Sequence, residues 1–154
     1  MQNKNKASIK KTSLKARAVA YLSRREHSRL ELERKLSPYA NSSEELLNVL
    51  DYLQEHNWQC DNRFAQSLIS RRINTHGWER ISYELAQKGV SDQIIQSLKD
   101  ELSNNEHNAA MLVWEKKFGH KAKNQKEYAR QYRFLISRGF KYDIVRKVIG
   151  DLPV

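Results

Sequence analysis

One cysteine, two prolines and five glycines are spread over 154 residues, and each scarcity removes a class of structure. The lone thiol, Cys60, can form no internal disulfide, so packing alone must hold the core, and a reducing compartment suits it. So few turn-forming residues leave little provision for tight hairpins, and no alternating apolar and polar run appears, so no strands are expected. No stretch approaches the roughly 18 consecutive apolar residues that span a bilayer, and the opening MQNKNKASIKK lacks the apolar segment of a secretory signal. A cytoplasmic protein without a membrane partner is expected.

Catalytic vocabulary is equally sparse. Neither GxxxxGK[ST] nor GxGxxG occurs, so no loop is built to cradle a nucleotide phosphate, and there is no nucleophile elbow. His27, His56, His76, His107 and His120 are scattered without HExxH or CxxC spacing; His56 and Cys60 are four apart, but two ligands do not close a zinc site. Glu44 with Glu45 and Asp100 with Glu101 are neighbours on helices, where adjacent side chains diverge by about 100°, so neither pair can act on one bond. The expectation is a protein that is not an enzyme and holds no metal or cofactor.

What the chain does have is charge, unevenly placed. The net charge is +10. Residues 1–25 carry eight Lys or Arg and no acid, 26–114 carry nine basic and fourteen acidic side chains, and 115–147 carry eleven basic and three acidic. Cationic ends attract a polyanion because phosphate contacts release counterions, while an acidic middle repels it.

It also has helical periodicity. Residues 1–12 lack apolar spacing and read as a disordered basic arm. Leu14, Ala18, Tyr21 and Leu22 then share one face of a helix from about Ser13 to Arg25. A short helix ends with Leu32 and Leu36 before Pro38, and Ser42 with Glu45 has capping-box spacing ahead of Leu46, Leu50 and Leu53. Asp61 is expected to cap a helix carrying Phe64, Ala65, Leu68 and Ile69; Trp78, Ile81 and Leu85 follow Gly77. Gly89 ends that helix with Val90 folding back, before Ile94, Ile95, Leu98 and Leu102. The last third runs through Ala110, Trp114 and Phe118, then Tyr128, Gln131 and Leu135, a stop at Gly139 and Phe140, and finally Ile144, Val145, Val148 and Leu152.

The pattern repeats. ELAQKGVSDQIIQSLKDEL (84–102) aligns without a gap on FLISRGFKYDIVRKVIGDL (134–152), pairing Gly89 with Gly139. The expected fold is all-α, a tandem array of three-helix units at 13–58, 59–104 and 105–154 after the arm at 1–12. Stacking is expected to bury the faces that one small unit leaves bare, giving an elongated or curved array. Arginines recur at helix ends, where their forked donors suit phosphate or carboxylate. Tyr21, Trp78, Tyr128, Tyr132 and Phe140 lie nearby as possible base platforms, although their spacing fits core positions better.

AYLSRREHSRLELERKL (20–36), DNRFAQSLISRRINTHGWERISYELAQKGVSDQII (61–95) and RQYRFLISRGFKYDIVRKVI (130–149) resemble, in order and spacing, the signature stretches of the bacterial recombination regulator RecX family. The resemblance covers nearly everything after the arm. It implies an all-helical, non-enzymatic modulator of the RecA recombinase that lies in the RecA filament on single-stranded DNA. Such a modulator suppresses ATP hydrolysis, strand exchange and coprotease action; direct binding to single-stranded DNA and a monomeric state are expected with it. Arg24, Arg25, Arg63, Arg71, Arg72, Arg80, Arg133 and Arg138 stand inside the matching stretches and are the contact candidates. The alternative, from the trihelical units and the charge, is a protein that inserts a recognition helix into duplex DNA.

Overall fold

Residues 12–154 are described in a computed structural model, so the basic arm expected at 1–12 lies, except for Thr12, outside the described residues. The chain divides into two compact units, Met1–Gln59 and Cys60–Val154. Among the described residues all regular structure is helical.

In the first unit, a serine caps each described α-helix. Ser13 Oγ accepts the Ala16 N–H at 3.1 Å to open α1 (Leu14–Arg24). Ser28 opens α2 (Arg29–Leu36) with a complete capping box: its hydroxyl accepts the Glu31 N–H at 3.1 Å, and Glu31 accepts the Ser28 N–H at 3.3 Å. Pro38 sits in a 3-10 turn (Ser37–Tyr39) that ends α2, its fixed φ suiting the first positions of such a turn. Ser42 caps α3 (Ser43–Glu55) as its spacing predicts, accepting the Glu45 N–H at 3.1 Å. The reciprocal half differs from expectation, because the Glu45 carboxylate accepts from Asn41 N–H at 2.9 Å, one residue earlier. Leu14, Ala18, Leu32, Leu36, Leu46, Leu50 and Leu53 form the core between the three helices, each large side chain contributing about 1.5–3 kcal/mol by leaving water.

The second unit begins at α4 (Asp61–Arg72). Asp61 is not its cap: Cys60 holds that position and makes no side-chain cap bond, while Asp61 is the first helical residue, where its charge meets the positive helix end. Next comes α5 (Trp78–Gln87), after which Gly89 takes φ +79° and Val90 N–H returns to the Leu85 carbonyl at 3.1 Å. The helix expected through Ile94 and Leu102 is broken at Leu98 into α6 (Asp92–Ser97) and α7 (Lys99–Lys117). The latter is 19 residues long and runs straight across position 104. Leu102, in its first turns, belongs to one core with Phe64, Leu68, Trp78, Ile81, Leu85, Ile95 and Leu98; Ala109, Ala110 and Trp114 belong to a second with Leu135, Phe140, Val145 and Val148.

α8 (Gln125–Ser137) is capped by Asn124, and α9 (Tyr142–Ile149) packs against α7 and α8. Gln131 is buried because it has two partners: its amide oxygen accepts from Trp114 Nε1 at 2.9 Å and its NH2 donates to the His120 carbonyl at 3.0 Å. Leu152, expected to complete the last stripe, lies beyond α9 and is half exposed.

Candidate functional site

Two loops of the second unit, one before α5 and one after α8, touch through their backbones. Gly77 N–H donates to the Arg138 carbonyl at 2.9 Å and Glu79 N–H to the Gly139 carbonyl at 3.2 Å. Trp78 N–H, between them, donates to the Glu106 carboxylate of α7 at 3.2 Å. The first N–H groups of a helix have no partner within it. Here three successive ones are satisfied from elsewhere in the fold.

Glycine makes the approach possible. A Cβ on Gly77 would press on the Gly139 carbonyl oxygen and stand 2.7 Å from Glu106 Oε1; one on Gly139 would collide with the backbone N and Cβ of Arg80. Gly139 also takes φ +87°, a region open to glycine. Glu106 is 5 % exposed, and burial pushes its carboxyl above the ordinary value, partly offset by Trp78 N–H and by Lys141.

This clasp gathers charge. Arg72 at the end of α4, Arg80 on α5 and Arg138 at the end of α8 all act on the His76 imidazole, whose pKa is lowered first by burial and then by these three guanidinium groups, Glu84 opposing them. Arg72 spends part of its charge on Glu84, at 3.3 Å. Among the described residues no carboxylate pairs with Arg80 or Arg138. A cleft of about 240 Å³ opens between α4 and α5, lined by Arg72, His76, Arg80, Tyr83, Glu84 and Gln87. A second, of about 300 Å³, is lined by Thr75, Val113, Lys116, Lys117, Phe134 and Arg138. Thr75 and His76, joined also by a 2.7 Å hydroxyl–imidazole hydrogen bond, face one groove each.

The other candidate arginines do not join this cluster. Arg24 is exposed at the end of α1 in the first unit. Arg25 is occupied there: its fork holds both Glu31 oxygens, at 2.7 and 3.3 Å, and the Glu26 carbonyl at 2.8 Å, which steadies the α2 capping box. Beside it His27 is buried with its pKa lowered by burial, accepts from Lys35 through Nε2 at 3.2 Å and donates through Nδ1 to the Arg25 carbonyl at 3.0 Å. Arg63 is half-buried and already partnered. Arg71 on α4 and Arg133 on α8 are exposed.

Of the possible base platforms, Trp78 and Phe140 are core residues and cannot stack on a ligand. Tyr128 is half-buried and donates its hydroxyl to the Gly150 carbonyl at 3.1 Å, and Tyr21 and Tyr132 are packed against the cores. The exposed ring at the site is Tyr83, 60 % exposed. No sequence motif marks His76, Tyr83, Lys116 or Lys117 as part of a site, although Arg80, Tyr83, Glu84 and Gln87 have the i, i+3, i+4, i+7 spacing of one face. No group of three or more His, Cys, Asp or Glu able to hold a metal occurs among the described residues. His56, four residues from Cys60, instead stacks on Tyr52 at 3.9 Å between ring centres. No described helix is long and apolar enough to cross a membrane.

Two family models match, "RecX, second three-helix domain" over residues 61–97 and "RecX, third three-helix domain" over residues 105–149. The regulatory protein RecX of Ralstonia nicotianae is 43% identical over 92% of this chain and 95% of its own length. Those of Chromobacterium violaceum and Neisseria gonorrhoeae are each 45% identical, over 90% and 89% of both chains. The crystal structure of RecX from Lactobacillus salivarius shares the fold with TM-score 0.69 at 23% identity, over 90% of this chain and 94% of that one. A second, titled regulatory protein RecX, gives 0.71 at 21% identity, over 90% and 74%. With two three-helix domains matched and relatives aligned along almost their whole length, the chain belongs to the RecX family of regulatory proteins.

Proposed function

We propose that this chain binds the RecA filament on single-stranded DNA and restrains its ATP hydrolysis, strand exchange and coprotease activity, so regulating recombination and DNA repair. The observation that carries the reading is membership of the RecX family along nearly the whole chain. The geometry supports it: unpaired arginines beside open grooves suit contact with phosphate or an acidic surface, not turnover of a substrate. Three consecutive three-helix repeats, at 13–58, 59–104 and 105–154, would span neighbouring subunits of a filament, with the protein arriving as a monomer.

The test is ATP hydrolysis by RecA on single-stranded DNA with this protein at substoichiometric amounts. Inhibition is expected, and an unchanged rate with a folded protein would refute the reading.

A further inference from the structure

We propose that the cleft between α4 and α5 is a subsite for single-stranded nucleic acid, in which Arg80 holds a backbone phosphate and Tyr83 stacks on the adjoining base, the strand continuing into the groove of Arg138, Lys116 and Lys117. The proposal rests on the family reading only for the expectation that DNA is nearby; the site itself is argued from its geometry.

Three features make this a built site and not a solvated face. The arginine backbones are fixed: the Arg138 carbonyl is held by Gly77 N–H, with its guanidinium 5.2 Å from the Phe134 ring centre, and the Arg80 main chain and Cβ lie against Gly139. Two guanidinium groups free of carboxylates therefore stand on a rigid base, which lowers the ordering cost of gripping an anion. Second, the charge is local. Arg72, Arg80 and Arg138 surround His76, opposed by Glu84, whose carboxylate is taken up by Arg72. Third, an exposed aromatic, Tyr83, lines the same cleft as Arg80. An acidic protein surface would use the arginines but has no need of the ring; a nucleotide uses both.

His76 gives the site a signature. The groups facing it are Arg72 from α4, Arg80, Tyr83 and Glu84 from α5, Arg138 from the end of α8, and its neighbour Thr75. With its pKa lowered it is neutral at pH 7 in the free protein. A bound phosphate brings negative charge to this cluster and favours the imidazolium. Binding therefore takes up a proton, and affinity rises as pH falls toward the lowered pKa of the free imidazole.

The experiment is fluorescence anisotropy of a labelled oligo-dT with the full chain and no RecA, over a salt series. Arg80→Ala keeps the Cβ that packs on Gly139; it is expected to weaken binding and lower the salt slope by about 0.7, the single-strand value per phosphate contact. Tyr83→Ala is expected to weaken binding about 5- to 150-fold with the slope unchanged. His76→Gln removes the pH dependence, and the imidazole signals of wild-type His76 shift toward the protonated form when oligo-dT is added at constant pH. Circular dichroism melts of each variant verify folding. Wild-type affinity and slope in folded Arg80→Ala would overturn the site, as would polyglutamate displacing oligo-dT equally well at equal charge, which would assign the cleft to an acidic protein. Loss of RecA inhibition with oligo-dT binding intact would count against the family reading alone.

Discussion

Gly139→Ala tests the clasp. Its cost has three parts. An alanine at φ +87° sits in the left-handed region, at about 1–2 kcal/mol. Its Cβ collides with the backbone of Arg80 and not with a flexible side-chain tip, so the loops must part. Parting weakens the Gly77–Arg138 and Glu79–Gly139 hydrogen bonds, each worth about 1 kcal/mol. Overpacking of this kind adds about 1–3 kcal/mol. The total is about 4–7 kcal/mol. Gly119→Ala is the control, because Gly119 has φ +71° but its Cβ would meet only the Glu115 carbonyl oxygen, at 3.3 Å. That variant should lose about 1–2 kcal/mol, a melting shift of about 4–16 °C in a unit of this size. Urea and thermal melts of both variants decide the matter. Equal losses would mean that the loops do not meet closely and that only the backbone conformation matters.

Glu106→Gln tests the buried carboxylate. Its pKa is raised in the folded state, so the native protein holds the proton more tightly than the unfolded chain does, and ionised Glu106 lowers stability above the folded pKa. Glutamine can still accept from Trp78 N–H, so the variant should be at least as stable as wild type at pH 7; the advantage should vanish below the ordinary carboxylate value of 4.5, as measured by urea melts across pH. Gln131→Leu leaves the Trp114 indole N–H and the His120 carbonyl unpaired and should cost about 1–3 kcal/mol by the same method. Ser28→Ala removes one half of the α2 capping box and should cost about 1 kcal/mol. In a filament-binding assay Arg138→Ala should weaken binding more than Arg133→Ala, because Arg138 belongs to the cluster around His76 and Arg133 does not.

Most helices were legible in the sequence because each buries one stripe and ends on a residue with a local reason to end it. Gly89 and Gly139 are the clearest, since a left-handed stop depends on little beyond the glycine and the residue after it. The break at Leu98 was not legible: no glycine or proline marks it, and Ile95 before it and Leu102 after it pack into the same core, so the apolar stripe runs through the break unchanged. The capping box at Ser28 and Glu31 has the same spacing as Ser42 and Glu45 but lies in a charged run that hides it. Asp61 illustrates the limit in reverse, for an acid suits both the cap and the first turn, and the two differ by one residue. The arginines were recognisable as candidates one by one. That Arg72, Arg80 and Arg138 meet at His76 depends on the contact of two glycines more than sixty residues apart, which no local pattern encodes.

Helix α7 has a consequence for how this part of the chain can be cut or rearranged. A helix of 19 residues is about 28 Å long, and its two ends are rooted in different cores. A repeat that shares a helix with its neighbour is not a cassette. Excising it, duplicating it or expressing it alone leaves half of α7 without its apolar partners.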